Sequence, residues 1–176
     1  EEEEVVTIDL EQTRYDLRGE YRMLSGPFET IRFAGGYADY THVELEGAEA
    51  GTRFESDGWE GRLELVQPNR DGWQGAVGVQ ALTRDFEAIG DEAFVPPTKT
   101  TEWGVFTLQR LDREGWGVEG GIRLERKELD SPIGERSFTG VSASLGAFIR
   151  PFEGWFFSLS GSRTERAPAQ EELFAN

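Results

Sequence analysis

The stretch Trp116-Gly-Val-Glu-Gly-Gly-Ile-Arg-Leu-Glu-Arg126 puts Trp116, Val118, Gly120, Ile122 and Leu124 on one parity and Gly117, Glu119, Gly121, Arg123 and Glu125 on the other. A period of two is the mark of an extended strand, whose successive side chains point to opposite faces. One face is apolar or small and the other polar or charged, so the strand divides two environments. Val141, Ala143, Leu145, Ala147 and Ile149 alternate in the same way with Ser142, Ser144, Gly146, Phe148 and Arg150. Trp155, Phe157 and Leu159 likewise alternate with Phe156, Ser158 and Ser160.

Working outward, Tyr15, Leu17, Gly19 and Tyr21 alternate with Arg14, Asp16, Arg18, Glu20 and Arg22. Ile31, Phe33, Gly35 and Tyr37 alternate with Arg32, Ala34, Gly36 and Ala38, and Trp59, Gly61, Leu63, Leu65 and then Trp73, Gly75, Val77, Val79 continue the series. Residues Trp103 to Arg110 read as a strand without a clear phase. Val6, Ile8 and Leu10 lie on the opposite parity to Tyr15 and Leu17, which predicts a bulge between Glu11 and Arg14. The total is about eight strands.

The connections alternate in kind. Short polar turns are predicted at Ser25–Phe28, Asn69–Gly72, Asp112–Gly115 and Pro151–Gly154. Longer loops are predicted at Glu46–Asp57, Glu87–Thr100, Asp130–Ser137 and from Ala167 onward. Tight turns on one rim and long loops on the other are the pattern of a transmembrane β-barrel. Trp73, Trp116 and Trp155 each follow a short turn, where an indole would sit in an interfacial aromatic girdle.

Composition agrees and excludes alternatives. The hydrophobic fraction is 37%, and no run approaches the roughly 18 apolar residues of a membrane-spanning helix. Strands that alternate lipid-facing and lumen-facing residues keep such an average low. With 34 acidic against 18 basic residues the formal charge is -16, which leaves no basic footprint for nucleic acid. The lysines are Lys99 and Lys127 alone. Cysteine is absent, which removes disulfides and thiolate metal sites. The acidic stretches Glu1–Glu4 and Asp85–Glu92 read as solvated charge, with cation attraction at the cell surface as the sharper alternative.

No catalytic constellation is present: the single histidine is His42, and neither a G-x-S-x-G elbow nor a phosphate-cradling loop occurs. The chain reads as a non-enzyme without a resident cofactor. If Ile31, Phe33, Gly35 and Tyr37 face lipid, His42 faces the lumen with Tyr40, Glu44 and Glu46 near the outer rim. An imidazole beside carboxylates makes His42 the one candidate metal ligand, and a solvated rim histidine is the plainer reading. Arg14, Asp16, Arg18, Glu20, Arg22, Arg32, Glu60, Arg62, Glu64, Glu119, Arg123 and Glu125 fall on the lumen side. Their interleaved signs predict cross-strand ion pairs along a hydrated wall.

Eight strands could close as a small structural or adhesion barrel. The last residues, Ala167-Pro-Ala-Gln-Glu-Glu-Leu-Phe-Ala-Asn176, instead read as a loop following a strand, and Glu1–Glu4 stand where an exported precursor carries its signal peptide. Both features suit the interior of a longer chain.

The segment Ser160-Gly-Ser-Arg-Thr-Glu-Arg-Ala-Pro-Ala-Gln-Glu-Glu-Leu-Phe-Ala-Asn176 resembles a strand-and-loop signature of TonB-dependent receptors, of the form S-x-R-x-x-R-A-P-x-x-x-E-L-[FY]-A-N. Thr13–Glu20, Gly58–Val66 and Asp85–Pro97 extend the resemblance, most closely to its zinc-receptor-like branch, although the histidine-rich loop of that branch is missing here. The resemblance implies that residues 1–176 are part of one barrel domain of about 22 strands, an open curved sheet without plug or closing strands. It further implies a bacterial outer-membrane location within lipid and lipopolysaccharide, a plug domain coupling to TonB, and import of a metal ion or metal chelate.

Overall fold

The computed structural model describes residues 6–23, 25–46, 49–90, 93 and 95–174. Eight strands follow in order: β1 (Val6–Arg22), β2 (Thr30–Glu46), β3 (Glu49–Val66), β4 (Trp73–Ile89), β5 (Thr98–Arg113), β6 (Trp116–Ser131), β7 (Gly134–Ile149) and β8 (Phe157–Arg163), then the short helix α1 (Gln170–Phe174). Each strand pairs antiparallel with its sequence neighbours in a single sheet of order β1 to β8. Among the described residues β1 and β8 do not pair, so the sheet is open, as expected, and the small closed barrel is set aside.

The four predicted short turns join β1 to β2, β3 to β4, β5 to β6 and β7 to β8, all at one rim. At the β3–β4 turn, Asp71 and Gly72 take left-handed backbone angles (φ 51° and 79°). A Cβ on Gly72 would lie 2.0 Å from the Asp112 carbonyl oxygen, so the turn needs glycine both for its φ and for its approach to β5.

Four expectations are corrected, three at the other rim and one in β1. Glu46–Asp57 is a hairpin rather than a long loop: β2 and β3 stay paired as far as Glu46 opposite Glu49. Asp130–Ser137 is also a hairpin, with β6 and β7 paired to Ser131 opposite Gly134. The loop predicted at Glu87–Thr100 shrinks to residues 90–97. Beyond the lipid band the outer face no longer meets an apolar solvent, so the apolar–polar alternation fades while backbone pairing continues. No bulge lies between Glu11 and Arg14, because β1 pairs without a break from Val6 opposite Glu46 to Arg22 opposite Thr30. The apolar residues change face there because the strand leaves the lipid band; the irregularity in this region falls instead between Val43 and Leu45 of β2. Glu1–Glu4 and the Asp91–Glu92 end of the second acidic stretch lie outside the described residues.

Directly paired residues share a face, so register sorts every strand. Leu17, Ile31, Leu63, Val77, Ile122, Leu145 and Leu159 fall on one side and Arg18, Arg32, Arg62, Arg123 and Ser158 on the other. The phase of β5, unclear in sequence, is fixed by Val79 opposite Val105 and by Ala81 opposite Trp103. On the outer face apolar or small residues fill the rows Trp73–Ala81 of β4, Trp116–Leu124 of β6 and Val141–Ile149 of β7, while the β5 row Trp103–Leu111 also carries Thr107 and Gln109, the latter accepting a hydrogen bond from Trp73 Nε1 at 2.9 Å. Each is about nine residues, the length with which a tilted strand crosses a bilayer core.

Aromatic rings bound this band at both ends. Tyr15, Tyr37 and Trp59 are in register across β1, β2 and β3, with the Tyr37 and Trp59 rings 4.6 Å apart. Trp73, Trp116 and Trp155 mark the turn side, although Trp155 precedes β8 by two residues and stacks on Phe157 at 5.5 Å. Leu145 is 71% exposed and Leu159 82%. A continuous apolar face of this kind is stable only against an apolar solvent.

Candidate functional site

The inner face is built from arginines and carboxylates spaced two apart along strands and matched across them. The Arg14 guanidinium donates to Asp16 and to Glu60, each at 2.9 Å. Arg22 and Arg32 both reach Glu20 at 3.1 Å, Arg123 pairs with Glu125 at 2.6 Å, and Lys127 reaches Glu102 at 2.9 Å. Arg62 bonds to Glu64 along β3. Register places the whole predicted lumen-side set on this one face. Most of these charges keep part of their surface in water, from exposed Arg22 to the more covered Lys127, so their effect is to keep the wall wet and specific in register rather than to add much stability.

Near the turn rim the polar wall is stiffened by rings. Arg110 and Arg150 converge on Asp112 at 2.9 and 2.8 Å, and both guanidinium groups lie 4.7 Å from the centre of the buried Phe148 ring. Phe148 also covers Gly117, whose missing side chain makes room for the ring.

Toward the other rim the chain itself covers the wall. After Arg163 the backbone leaves the sheet, and residues 164–174 form a strap over the inner face. The Glu165 carboxylate accepts from the Val141 amide at 2.9 Å, and the Glu165 amide donates to Ser142 Oγ at 3.3 Å, so the strap begins on β7. It ends on β4, where the Arg84 guanidinium donates to Gln170 Oε1 at 3.5 Å. Gln170 is 1% exposed, as are the inner-face residues Thr100 and Leu129. Within the strap, Glu172 accepts from the Ala169 amide at 2.7 Å and from Arg166 at 2.7 and 3.1 Å. The first contact satisfies an otherwise orphan amide at the start of α1. Arg166 foremost, and the Ala169 amide after it, hold the Glu172 carboxyl below its ordinary pKa.

Between the strap and the strands lies a cavity of about 370 Å³. Its floor is small, with Ala38 opposite Gly58 and Gly36 opposite Glu60. Tyr40, His42, Phe54 and Phe86 wall it with rings, and Gln12, Arg14, Glu60, Arg84, Gln170 and Glu171 supply its polar groups. His42 is on the inner face, as its parity predicted. Its ring stacks on Phe54 at 4.4 Å and 19°, and meets Tyr40 edge-on at 5.4 Å. The His42 Nδ1 atom is buried and has no hydrogen-bond partner among the described residues. No trio of histidine and carboxylate side chains is placed to hold a metal ion among the described residues.

Sequence reasoning misses Phe54, Phe86 and the strap. Phe54 lies in a stretch that reads as a loop, and only the β2–β3 pairing brings it opposite His42. The Ala169-to-Glu172 spacing at the start of α1 is the one local signal for the strap's turn.

A family model described as TonB dependent receptor-like, beta-barrel matches residues 4–176. Among solved structures, that of the copper transporter OprC superposes with a TM-score of 0.83 over 94% of this chain at 17% identity. The chain spans 31% of the length of that structure.

Proposed function

Because this chain belongs to the TonB-dependent receptor β-barrel family, we propose that it is part of the wall of an outer-membrane receptor that imports a metal ion or metal complex. The observation that carries this function is the two-faced wall: an apolar outer band bounded by aromatic rings, and an ion-paired inner face open to water. Such a wall separates lipid from a hydrated conduit, which is what transport requires and catalysis does not. Lipid and lipopolysaccharide of the bacterial outer membrane then lie against the outer band. A plug domain lies against the arginine–carboxylate ladder, with TonB delivering energy through that plug.

Metal as cargo is supported by the structural neighbour, a copper transporter, while the 17% identity carries the fold alone. His42 is the residue of this wall that would offer a ligand atom, with further ligands coming from outside the described residues. The experiment is metal-limited growth of a host carrying the full-length gene, with uptake of zinc, copper, iron chelates and cobalamin measured with and without TonB. TonB-dependent uptake of one of these is the expected result. Uptake that is indifferent to TonB, or absent for every metal species, overturns the proposal.

A further inference from the structure

We infer that the strap is one state of a strand switch: residues 164–169 leave the inner face and extend β8 along the free edge of β7, which uncovers the wall beneath the strap. The inference stands on strand geometry. It draws on the import reading only for what the switch opens, the passage along the inner wall.

The free edge is the first observation. β7 runs from Gly134 to Ile149, whereas its pairing with β8 ends at Ala143 opposite Arg163. Above that point no strand pairs with the β8 side of β7 among the described residues. The Val141 amide faces that side, since it donates to Glu165. By the period of two, the amides of Ser137 and Thr139 face it as well. An open strand edge is a template for another extended segment.

Register names the segment. Continued without a shift, the β7–β8 ladder sets Glu165 opposite Val141, Ala167 opposite Thr139 and Ala169 opposite Ser137. All three are hydrogen-bonded pairs, each exchanging two backbone bonds. Pro168 does not interrupt them, because it falls opposite Phe138, where its missing amide would point away from β7. Arg163 and Glu165 stay two apart on one face, so their ion pair at 2.9 Å is compatible with both states.

In the docked state side chains stand in for that ladder. The Glu165 carboxylate, in place of its backbone carbonyl, takes the Val141 amide, and Ser142 Oγ takes the Glu165 amide at 3.3 Å. Gly140 makes room for the inward turn, since a Cβ there would lie 3.3 Å from the Glu165 carbonyl oxygen and 3.4 Å from the Glu165 Cβ. At its far end the strap reaches Arg84 through a hydrogen bond of 3.5 Å. Thr100, directly opposite Arg84 on β5, has its Oγ1 buried without a partner among the described residues. A long bond and an unsatisfied hydroxyl are a weak fastening, so the two states lie close in free energy.

The test is hydrogen exchange of the full-length receptor in phospholipid vesicles, read by mass spectrometry as protection of residues 135–141 and 170–174. With the strap docked, 170–174 are protected and the amides of Ser137 and Thr139 are open. Gly140→Val fills the space of the turn and should drive the strap outward: protection of 135–141 rises at least about tenfold while that of 170–174 falls. Arg84→Ala combined with Gln170→Ala frees the far end without touching β7 and should give the same paired change. Adding Ala167→Pro to either removes an amide of the new ladder, and should cancel the gain at 135–141 while 170–174 stay open. Loss of protection at 170–174 without a gain at 135–141, a gain that survives Ala167→Pro, or no change in either segment overturns the switch. TonB-dependent metal uptake without the paired change sinks the switch and leaves import standing. The paired change in a receptor without such uptake sinks import and leaves the switch standing.

Discussion

Two glycine–phenylalanine pairs give a quantitative test of how the wall is packed. On the outer face the Phe33 ring covers Gly19, and a Cβ there would lie 2.1 Å from its Cζ. That is roughly 1.4 Å inside ordinary carbon–carbon contact at about 3.5 Å. All three close neighbours of that Cβ are atoms of the Phe33 ring, which can swing away. On the inner face Phe106 covers Gly78 at 2.4 Å, but the Leu63 carbonyl oxygen also stands 2.7 Å away, and a paired strand backbone cannot yield. Overpacking costs about 1–3 kcal/mol, so Gly19→Ala should fall near the lower end and Gly78→Ala near the upper. The assay is urea unfolding of the full-length receptor in phospholipid vesicles, read from midpoints, with Phe33→Ala and Phe106→Ala as second mutations. Phe33→Ala should abolish the Gly19→Ala penalty, leaving less than about 0.5 kcal/mol. Phe106→Ala should remove only part of the Gly78→Ala penalty. A Gly19→Ala penalty that persists without Phe33, or a harmless Gly78→Ala, refutes the reasoning.

Leu145→Arg, at the middle of the outer row of β7, should cost about 2–4 kcal/mol in a bilayer, whereas Ser144→Arg on the inner face should cost far less; equal losses in the same unfolding assay would count against the assignment of faces. The strap should loosen in acid. Because the Glu172 carboxyl is held below its ordinary pKa, its contribution is complete above the usual carboxylate range and is lost as pH falls through the lowered value. Protection of the amides in residues 169–174, taken relative to the intrinsic exchange rate at each pH, should therefore be high at neutral pH and lost well below the usual carboxylate range. Glu172→Gln should show low protection at both, and protection that ignores pH would remove this account of the strap.

The lipid band is legible in sequence because two different solvents impose two different residue classes on alternate positions. Where Trp116 to Leu124 and Val141 to Ile149 cross that band, parity alone fixes the faces, and glycine-bearing turns fix one rim. Above the band the same strands lose their signature. Glu46–Asp57 lies beyond that band, where no apolar solvent imposes a period of two, so it carries charged residues and no alternation, although the β2–β3 pairing runs to Glu46 opposite Glu49. Parity places His42 on the correct face but suggests carboxylates of its own strand as its surroundings. Its contacts are rings, and Phe54 arrives from β3 by cross-strand register. The strap is a tertiary feature: nothing between Thr164 and Phe174 announces that it will lie against Arg84, some 80 residues earlier in the chain.

The central claim is that the odd-numbered face of β7 meets lipid and the even-numbered face a hydrated lumen. The sequence contains no cysteine, so single cysteines can be placed along β7 in a full-length receptor otherwise free of them. Ala143→Cys, Leu145→Cys and Ala147→Cys, and alternately Ser142→Cys, Ser144→Cys and Gly146→Cys, would each carry an environment-sensitive fluorophore in vesicles of brominated phospholipid. Quenching at Ala143, Leu145 and Ala147 but not at Ser142, Ser144 and Gly146 is the predicted result. Quenching on the even positions, or quenching without a period of two, would contradict it.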